Sequence, residues 1–118
     1  MIKFVAPIRP VPFKRVESHG RRRFNNERYR EFKAELGWHG RLAMGGSKPL
    51  RGAIKLHVEI SRPLKPTALK FGDADNHLKA VLDALNGICY VDDRQIVEAT
   101  VELVRGDDGV TVELEELQ

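Results

Sequence analysis

The 118-residue chain is poor in cysteine and has no long hydrophobic run. Its one cysteine, Cys89, has no partner within the chain, which excludes an internal disulfide framework. No apolar stretch approaches the roughly 18 residues that a membrane-spanning helix needs. The apolar stretch at the N-terminus is too short for a signal peptide. These absences predict an intracellular, cytoplasmic protein.

Aromatic residues are also scarce, at 7%, but hydrophobic residues make up 42% of the chain and charged residues 31%. This balance is typical of a soluble globular protein and argues against disorder. The length suits one domain with one hydrophobic core. We therefore expect residues 1–118 to form a single domain.

Cationic residues are nearly missing from the second part of the chain. Residues 72–118 hold 3 Lys and Arg against 12 Asp and Glu, a net charge of −9. Residues 1–71 hold 17 Lys and Arg against 5 Asp and Glu, a net charge of +12. The asymmetry favours a basic surface for a polyanion, with an acidic cluster elsewhere. The alternative is that both parts carry solvated charges that the fold interleaves.

Hydrophobic periodicity predicts the fold class. Alternating apolar residues predict four strands, the last two paired as an antiparallel hairpin, at residues 1–6, 53–61, 95–104 and 110–114. Helical spacing predicts two helices, at residues 25–37 and 76–86. Gly37 would end the first helix, although residues 42–44 leave an extension open, and Asp75 or Asn76 would cap the second. We expect an α+β domain whose mixed sheet of about four strands has two main helices packed on one face.

Four aspartates flank the second predicted helix. Asp73 and Asp75 stand at its start, and Asp92 and Asp93 follow it after a short connection. If the fold returned this turn to residues 73–75, three or four carboxylates would meet in one pocket. Adjacent carboxylates raise each other's pKa, and a divalent cation such as Mg²⁺ relieves the repulsion because it takes oxygen ligands. The structural alternative is ordinary helix capping at 73 or 75 and an ordinary turn at 92–93.

Lys79 lies four residues after Asp75 and four before Asp83. A lysine beside a metal–carboxylate site can hold a scissile phosphate or stabilise charge in the transition state. The commoner alternative is an ion pair with either aspartate, which contributes only a few tenths of a kcal/mol.

The segments DADNHLKAVLDALNG and YVDDRQIVEATVEL resemble the RusA family of Holliday junction resolvases. They share an Asp-x-Asp-Asn pair, a lysine four residues after the second Asp, and an Asp-Asp turn before a strand, within about residues 73–102. The resemblance implies an endonuclease that uses Mg²⁺, with Mn²⁺ as a substitute, and acts as a homodimer on four-way DNA junctions, leaving ligatable nicks. It also implies a nucleoid-associated or phage-encoded protein with no membrane partner and no small-molecule cofactor.

The resemblance assigns roles to individual residues of this sequence. Asp73, Asp75 and Asp93 match the metal-binding, catalytic aspartates, Asp92 is an adjacent metal-binding acid, and Lys79 matches the lysine implicated in catalysis. Strongly salt-dependent DNA binding with little readout of bases is expected from the basic residues, and base stacking from one aromatic residue. The DNA-binding set is Lys14, Arg15, Arg21, Arg22, Arg23, Lys70 and Phe71.

The sequence departs from the family pattern just before the first aspartate. Some members place arginines there, where this chain has Lys70, Phe71 and Gly72. Two alternative functions therefore stay open: a non-catalytic DNA-binding module whose acids are structural, and a general nuclease for flaps and forks. The four histidines match no zinc-binding spacing. We expect His77 at a solvated helix position and Cys89 as a small buried apolar residue.

Overall fold

The computed structural model describes residues 1–14 and 23–118, with side chains from residue 27 onward in the second range. Arg15, Arg21 and Arg22, which were predicted to bind DNA, lie outside the described residues. Arg23 is described only through its backbone, as the first residue of a helix. The structure therefore bears on Lys14, Lys70 and Phe71 among the predicted DNA-binding residues.

The described chain forms four strands and two main helices. In chain order these are β1 (Ile2–Ala6), α1 (Arg23–Met44), β2 (Ile54–Arg62), α2 (Ala74–Leu85), β3 (Ile96–Arg105) and β4 (Gly109–Glu116). Two short 3-10 helices, Leu69–Phe71 and Asp93–Gln95, precede α2 and β3. The predicted α+β class, with a mixed four-stranded sheet and two helices, is confirmed.

The strands lie in the order β1-β4-β2-β3. β4 pairs antiparallel with both β1 and β2, and β2 pairs parallel with β3. The predicted hairpin of the last two strands is wrong, because β2 lies between them. An alternating pattern reports which face of a strand is buried, but not which strand lies beside it. β2 and β4 bury the most apolar residues and take the centre, whereas β3 is a largely exposed edge.

One face of the sheet packs against the helices to form the core. Its buried residues in β2 and β4 alternate with polar ones and are Ile54, Leu56, Val58, Ile60, Val110, Val112 and Leu114. The opposite face carries ion pairs between neighbouring strands, such as Lys55 with Glu98 at 3.3 Å. Exposed pairs of this kind contribute little stability, so the core depends on the apolar face. Cys89 is buried, as expected.

The first helix does not end at Gly37 but continues to Met44. A Cβ atom on Gly37 would lie 2.9 Å from Cδ1 of Ile88, and one on Gly40 would lie 2.8 Å from Cδ2 of Leu85. Both glycines therefore let α1 approach the end of α2 closely. This packing outweighs the roughly 1 kcal/mol by which glycine disfavours a helix relative to alanine.

α2 connects two parallel strands, β2 and β3. A helix in such a crossover runs back along the sheet, because the second strand must start at the same end as the first. The N-terminus of α2 therefore lies where β2 finishes, and its C-terminus lies where β3 begins. Residues just before and just after α2 are placed at opposite ends of the sheet.

Candidate active site

Asp73 is the N-cap of α2, which begins two residues earlier than predicted. Asp75 therefore lies in the first turn and not at the cap. The side chain of Asp73 makes no capping hydrogen bond. Both carboxylates are exposed, and neither forms an ion pair within residues 1–14 and 27–118. Capping of the helix by a side-chain hydrogen bond, the structural alternative, therefore does not explain the carboxylate of Asp73.

Two buried side chains, Arg62 and His77, hold the loop before Asp73 in place through hydrogen bonds. Nη1 of Arg62 donates to the carbonyl oxygens of Lys70 at 2.5 Å and Phe71 at 3.1 Å. Nε2 of His77 lies 2.6 Å from the same Phe71 oxygen, and it must carry the proton because a carbonyl only accepts. Burial lowers the pKa of His77. The prediction of a solvated His77 is wrong, since this side chain is 1% exposed.

Gly72 joins this loop to Asp73 with a φ of 94°. This left-handed region favours glycine, because a Cβ atom there meets the backbone. A Cβ on Gly72 would also lie 2.8 Å from Nε2 of His77 and 2.9 Å from Cγ of Pro12. The position of Asp73 therefore depends on having no side chain at residue 72.

Phe71 belongs to the core and not to the DNA-binding surface. Its side chain is 0% exposed. Its ring packs edge-on against His77, with centroids 5.8 Å apart, and the Arg62 guanidinium lies 5.8 Å from its centroid. The predicted base stacking by Phe71 is wrong, because a buried ring offers no face to a base.

Lys79 lies on α2 one turn beyond Asp75. Its Nζ is 4.0 Å from Oδ1 of Asp83 and 4.9 Å from the centroid of the Phe13 ring. Asp83 also accepts a hydrogen bond of 2.7 Å from the Tyr29 hydroxyl. The Lys79 side chain is half-exposed, so a phosphate can still reach it. The structure shows the ion pair with Asp83, and the catalytic role of Lys79 stays a prediction.

Residues 7–14 cross the start of α2 and bring Lys14 beside it. The backbone N–H of Phe13 donates to the carbonyl oxygen of Asn76 at 3.0 Å, and its ring packs edge-on against Tyr29. Lys14 itself is exposed. Phe13, which anchors this segment, is not among the residues predicted for the site. The available signal was an aromatic residue inside a basic, proline-containing segment.

Asp92 has a structural role that Asp73 lacks. It caps the short 3-10 helix, with Oδ1 accepting from the backbone N–H of Arg94 at 2.8 Å and Oδ2 accepting from its Nη2 at 3.3 Å. These bonds hold the pKa of Asp92 below its ordinary value. Asp93, in contrast, forms no ion pair in the described part of the chain.

Gln95 fastens this turn to the segment that leads into β2. Its Oε1 accepts from the backbone N–H groups of Val91 and Asp92, each at 2.9 Å. Its Nε2 donates to the carbonyl oxygens of Leu50 at 2.8 Å and Gly52 at 3.0 Å. The turn that carries Asp93 therefore lies beside the start of β2.

The structure separates the two groups of acids within one protomer. Asp73 follows the end of β2, whereas Asp93 lies beside its start. The nine residues of β2, at about 3.3 Å each, separate these two ends by roughly 26 Å along the strand. The pocket of three or four carboxylates that the sequence predicts is not seen within the described part of one chain, and the roles of the individual acids stay predictions. Among the side chains that the structure describes, in residues 1–14 and 27–118, no three His, Cys, Asp or Glu lie close enough to hold a metal ion.

The described site thus combines two partner-free carboxylates, a lysine one turn away and a basic segment across the helix start. This combination suits a protein that binds and hydrolyses a phosphodiester backbone. A model of the RusA endodeoxyribonuclease family matches residues 7–115, nearly the whole chain. The chain therefore belongs to the RusA family, whose members are endonucleases that resolve Holliday junctions.

A search among curated proteins gives no match to this chain. In the part of the chain that the structure describes, neither helix combines the length and hydrophobicity needed to cross a membrane.

Proposed function

We propose that this chain is a Mg²⁺-dependent endodeoxyribonuclease that resolves four-way DNA junctions as a homodimer, by paired and symmetric hydrolysis of phosphodiester bonds. One observation carries the proposal. Asp73 and Asp75 are exposed carboxylates without an ion-pair partner among the described residues, at the start of α2 beside a loop that Arg62 and His77 hold in place. Membership of the RusA family supplies the class of substrate.

The carboxylates at the start of α2 suit a hard divalent cation. Mg²⁺ is usually held by one or two carboxylates together with waters and substrate phosphates. Asp73 and Asp75 meet this requirement, whereas both oxygens of Asp92 already accept hydrogen bonds from Arg94. When bound, the ion would neutralise charge on the phosphate oxygens and activate water for attack. Mn²⁺ has similar ligand preferences and is expected to substitute.

We expect Lys79 to contact the phosphate during hydrolysis. The oxygen of one water bonds to phosphorus, the bond between phosphorus and the 3′ oxygen breaks, and a proton passes to that oxygen. The products are a 5′-phosphate and a 3′-hydroxyl, which a ligase can rejoin. The ammonium of Lys79 would stabilise the negative charge that grows on the phosphoryl oxygens.

A homodimer would bring Asp93 of one protomer to the aspartates at the start of α2 in the other. Asp93 has no ion-pair partner in the described part of the chain, and its turn lies beside the start of β2, whereas Asp73 follows the end of this strand. We propose that each site combines Asp73 and Asp75 of one protomer with the partner's Asp93. Two such sites related by a two-fold axis would match the near two-fold symmetry of a four-way junction. Trp38 and Leu42, one turn apart on α1 and each 58% exposed, provide an apolar surface for a second copy.

Cleavage of a labelled synthetic four-way junction tests the activity. The wild-type chain is expected to cut two opposite strands symmetrically in Mg²⁺ and to stop cutting when a chelator is added. A flap and a plain duplex serve as comparison substrates. Junction binding without cutting in Mg²⁺ or Mn²⁺ would favour a non-catalytic module. Equal cutting of junction and flap would favour a general branched-DNA nuclease.

Mixed dimers test the shared site. Asp73→Asn and Asp93→Asn are each expected to be inactive alone. After subunit exchange, their heterodimer would hold one site with all its aspartates, so nicking of one strand should return. A mixture of Asp73→Asn with Asp75→Asn is the matched control, since both of its sites stay damaged. Failure of the first mixture to regain nicking, with exchange verified by mass, would contradict the shared site.

A further inference from the structure

Two adjoining cavities, of about 420 and 600 Å³, lie at the end of β2 near the start of α2. Both are lined by the same four cations, which are Arg9, Lys14, Arg62 and Lys70. We call this pair of cavities the basic cleft. Gly72 lines the second cavity, so the cleft opens next to Asp73.

The lining of the basic cleft carries an excess of positive charge. Arg28 adds a fifth cation in the first cavity. The carboxylates facing the cleft are Glu31 and Glu35 in the first cavity and Asp108 in the second. Five cations therefore face three acids. An excess of this sign attracts an anion, and low-dielectric walls concentrate the field.

Arg62 is the unusual member of this lining. It is only 8% exposed, and its Nε is buried without a hydrogen-bond partner among the described residues. Its Nη1 bonds to two backbone carbonyls, and it forms no ion pair within residues 1–14 and 27–118. Burial, and then the nearby charge of Arg9, lower the pKa of Arg62, while the charge of Asp108, which forms no ion pair with it, partly opposes this shift. Burying a cation without an anionic partner is costly, which points to a ligand that supplies the missing charge.

A phosphate group has the required charge and shape. The guanidinium presents a planar fork of N–H donors that matches phosphate oxygens. Nη2 of Arg62 bonds to no described residue and is not sealed from solvent, so it remains available to a ligand in the cleft. Arg9 and Lys14 are exposed at the same cavities and can contact further oxygens.

We infer that the basic cleft binds a backbone phosphate of the DNA strand beside the scissile bond, with Arg62, Arg9 and Lys14 as its ligands. This inference rests on the proposed function, because it places the phosphate on the strand that is cut at Asp73. Arg62 then serves both parts of the site. Its Nη1 fixes the loop before Asp73, and its remaining donors bind the strand.

Salt-dependent binding of a fluorescent four-way junction, measured with EDTA present so that no strand is cut, tests the cleft. Each lost phosphate contact should reduce the slope of log affinity against log salt by about 0.9. Arg62→Met, Arg9→Met and Lys14→Met are each expected to weaken binding by roughly tenfold. Because the three side chains share one phosphate, each variant should lower the slope by at most about 0.9. Arg51→Met is the matched control, because Arg51 is exposed and lines neither cavity.

The outcomes separate phosphate binding from loop positioning. A folded Arg62→Met protein with unchanged affinity and slope would overturn the inference and leave Arg62 as a positioning residue. If Arg62→Met does not fold, unchanged affinities and slopes for both Arg9→Met and Lys14→Met would overturn it. If these variants lose affinity but the wild-type chain cuts no junction in Mg²⁺, the cleft stands and the proposed activity fails.

Discussion

The two aspartate pairs of this chain have similar positions along the sequence and different environments. Each begins with an acid at the N-cap of a helix, Asp73 before α2 and Asp92 before a 3-10 helix. Asp92 uses its carboxylate as a cap, whereas Asp73 makes no capping bond. The comparison teaches that hydrogen-bond partners, and not position at a helix start, distinguish a structural acid from one available to a ligand.

The difference has a cause in the surrounding backbone. The turn at Asp92 is held by its own side chains, because Asp92 and Gln95 close a reciprocal capping box. The loop before Asp73 is held by Arg62 and His77, which come from elsewhere in the fold. Because these two side chains hold the loop, the carboxylate of Asp73 is not needed to hold it and makes no capping hydrogen bond.

The largest expected effect on cleavage comes from replacing Asp73, whose carboxylate has no ion-pair partner among the described residues. Asp73→Asn should lower the rate of junction cleavage by roughly a hundredfold or more, because it removes a metal ligand. Junction affinity in EDTA and the melting temperature should stay at their wild-type values, since no described residue is ion-paired with this carboxylate. Gel assays of cleavage, anisotropy and thermal melting check the three quantities. Full cleavage by the variant in Mg²⁺ would contradict the assignment.

Lys79→Met should have an intermediate effect, because it removes the charge but keeps an apolar chain beside Phe13. We expect cleavage to slow by about tenfold through lost stabilisation of phosphoryl charge. Lys33→Met is the matched control, since the Nζ of Lys33 lies 4.8 Å above the Tyr29 ring. Single-turnover rates with saturating enzyme separate this effect from binding. A change in melting temperature alone would show that Lys79 contributes only its ion pair.

The smallest expected effect on cleavage comes from replacing Asp92, the acid that caps the 3-10 helix. Asp92→Ala should lower the free energy of unfolding slightly, because it removes an N-cap, and should leave the cleavage rate unchanged. Asp93→Ala should do the reverse, with native stability and lost cleavage. Measuring urea unfolding and junction cleavage for both variants shows which acid contributes to stability and which to cleavage. Loss of cleavage at native stability in Asp92→Ala would assign Asp92 to the site.

Much of the candidate site was predictable, because its residues form a pattern of short spacings along the sequence. The aspartates at 73 and 75, the lysine one turn later and the Asp-Asp turn before a strand appear in the sequence without any fold. The residues that contact them from other parts of the fold do not appear in any such pattern. The ion pair of Lys79 with Asp83 is also local and was foreseen, whereas the contacts of Arg62 and His77 with the Phe71 carbonyl join separate elements.

The sequence by itself determined the four strands, the two helices and the residue types of the site, because periodicity and capping act within a few residues. Only the tertiary structure decided that β2 separates β3 from β4, that α1 passes through Gly37, that Phe71 is buried and that Asp93 lies at the far end of β2 from Asp73. These outcomes depend on contacts between residues far apart in the chain. No local pattern encodes which elements will meet, so packing settles what spacing leaves open.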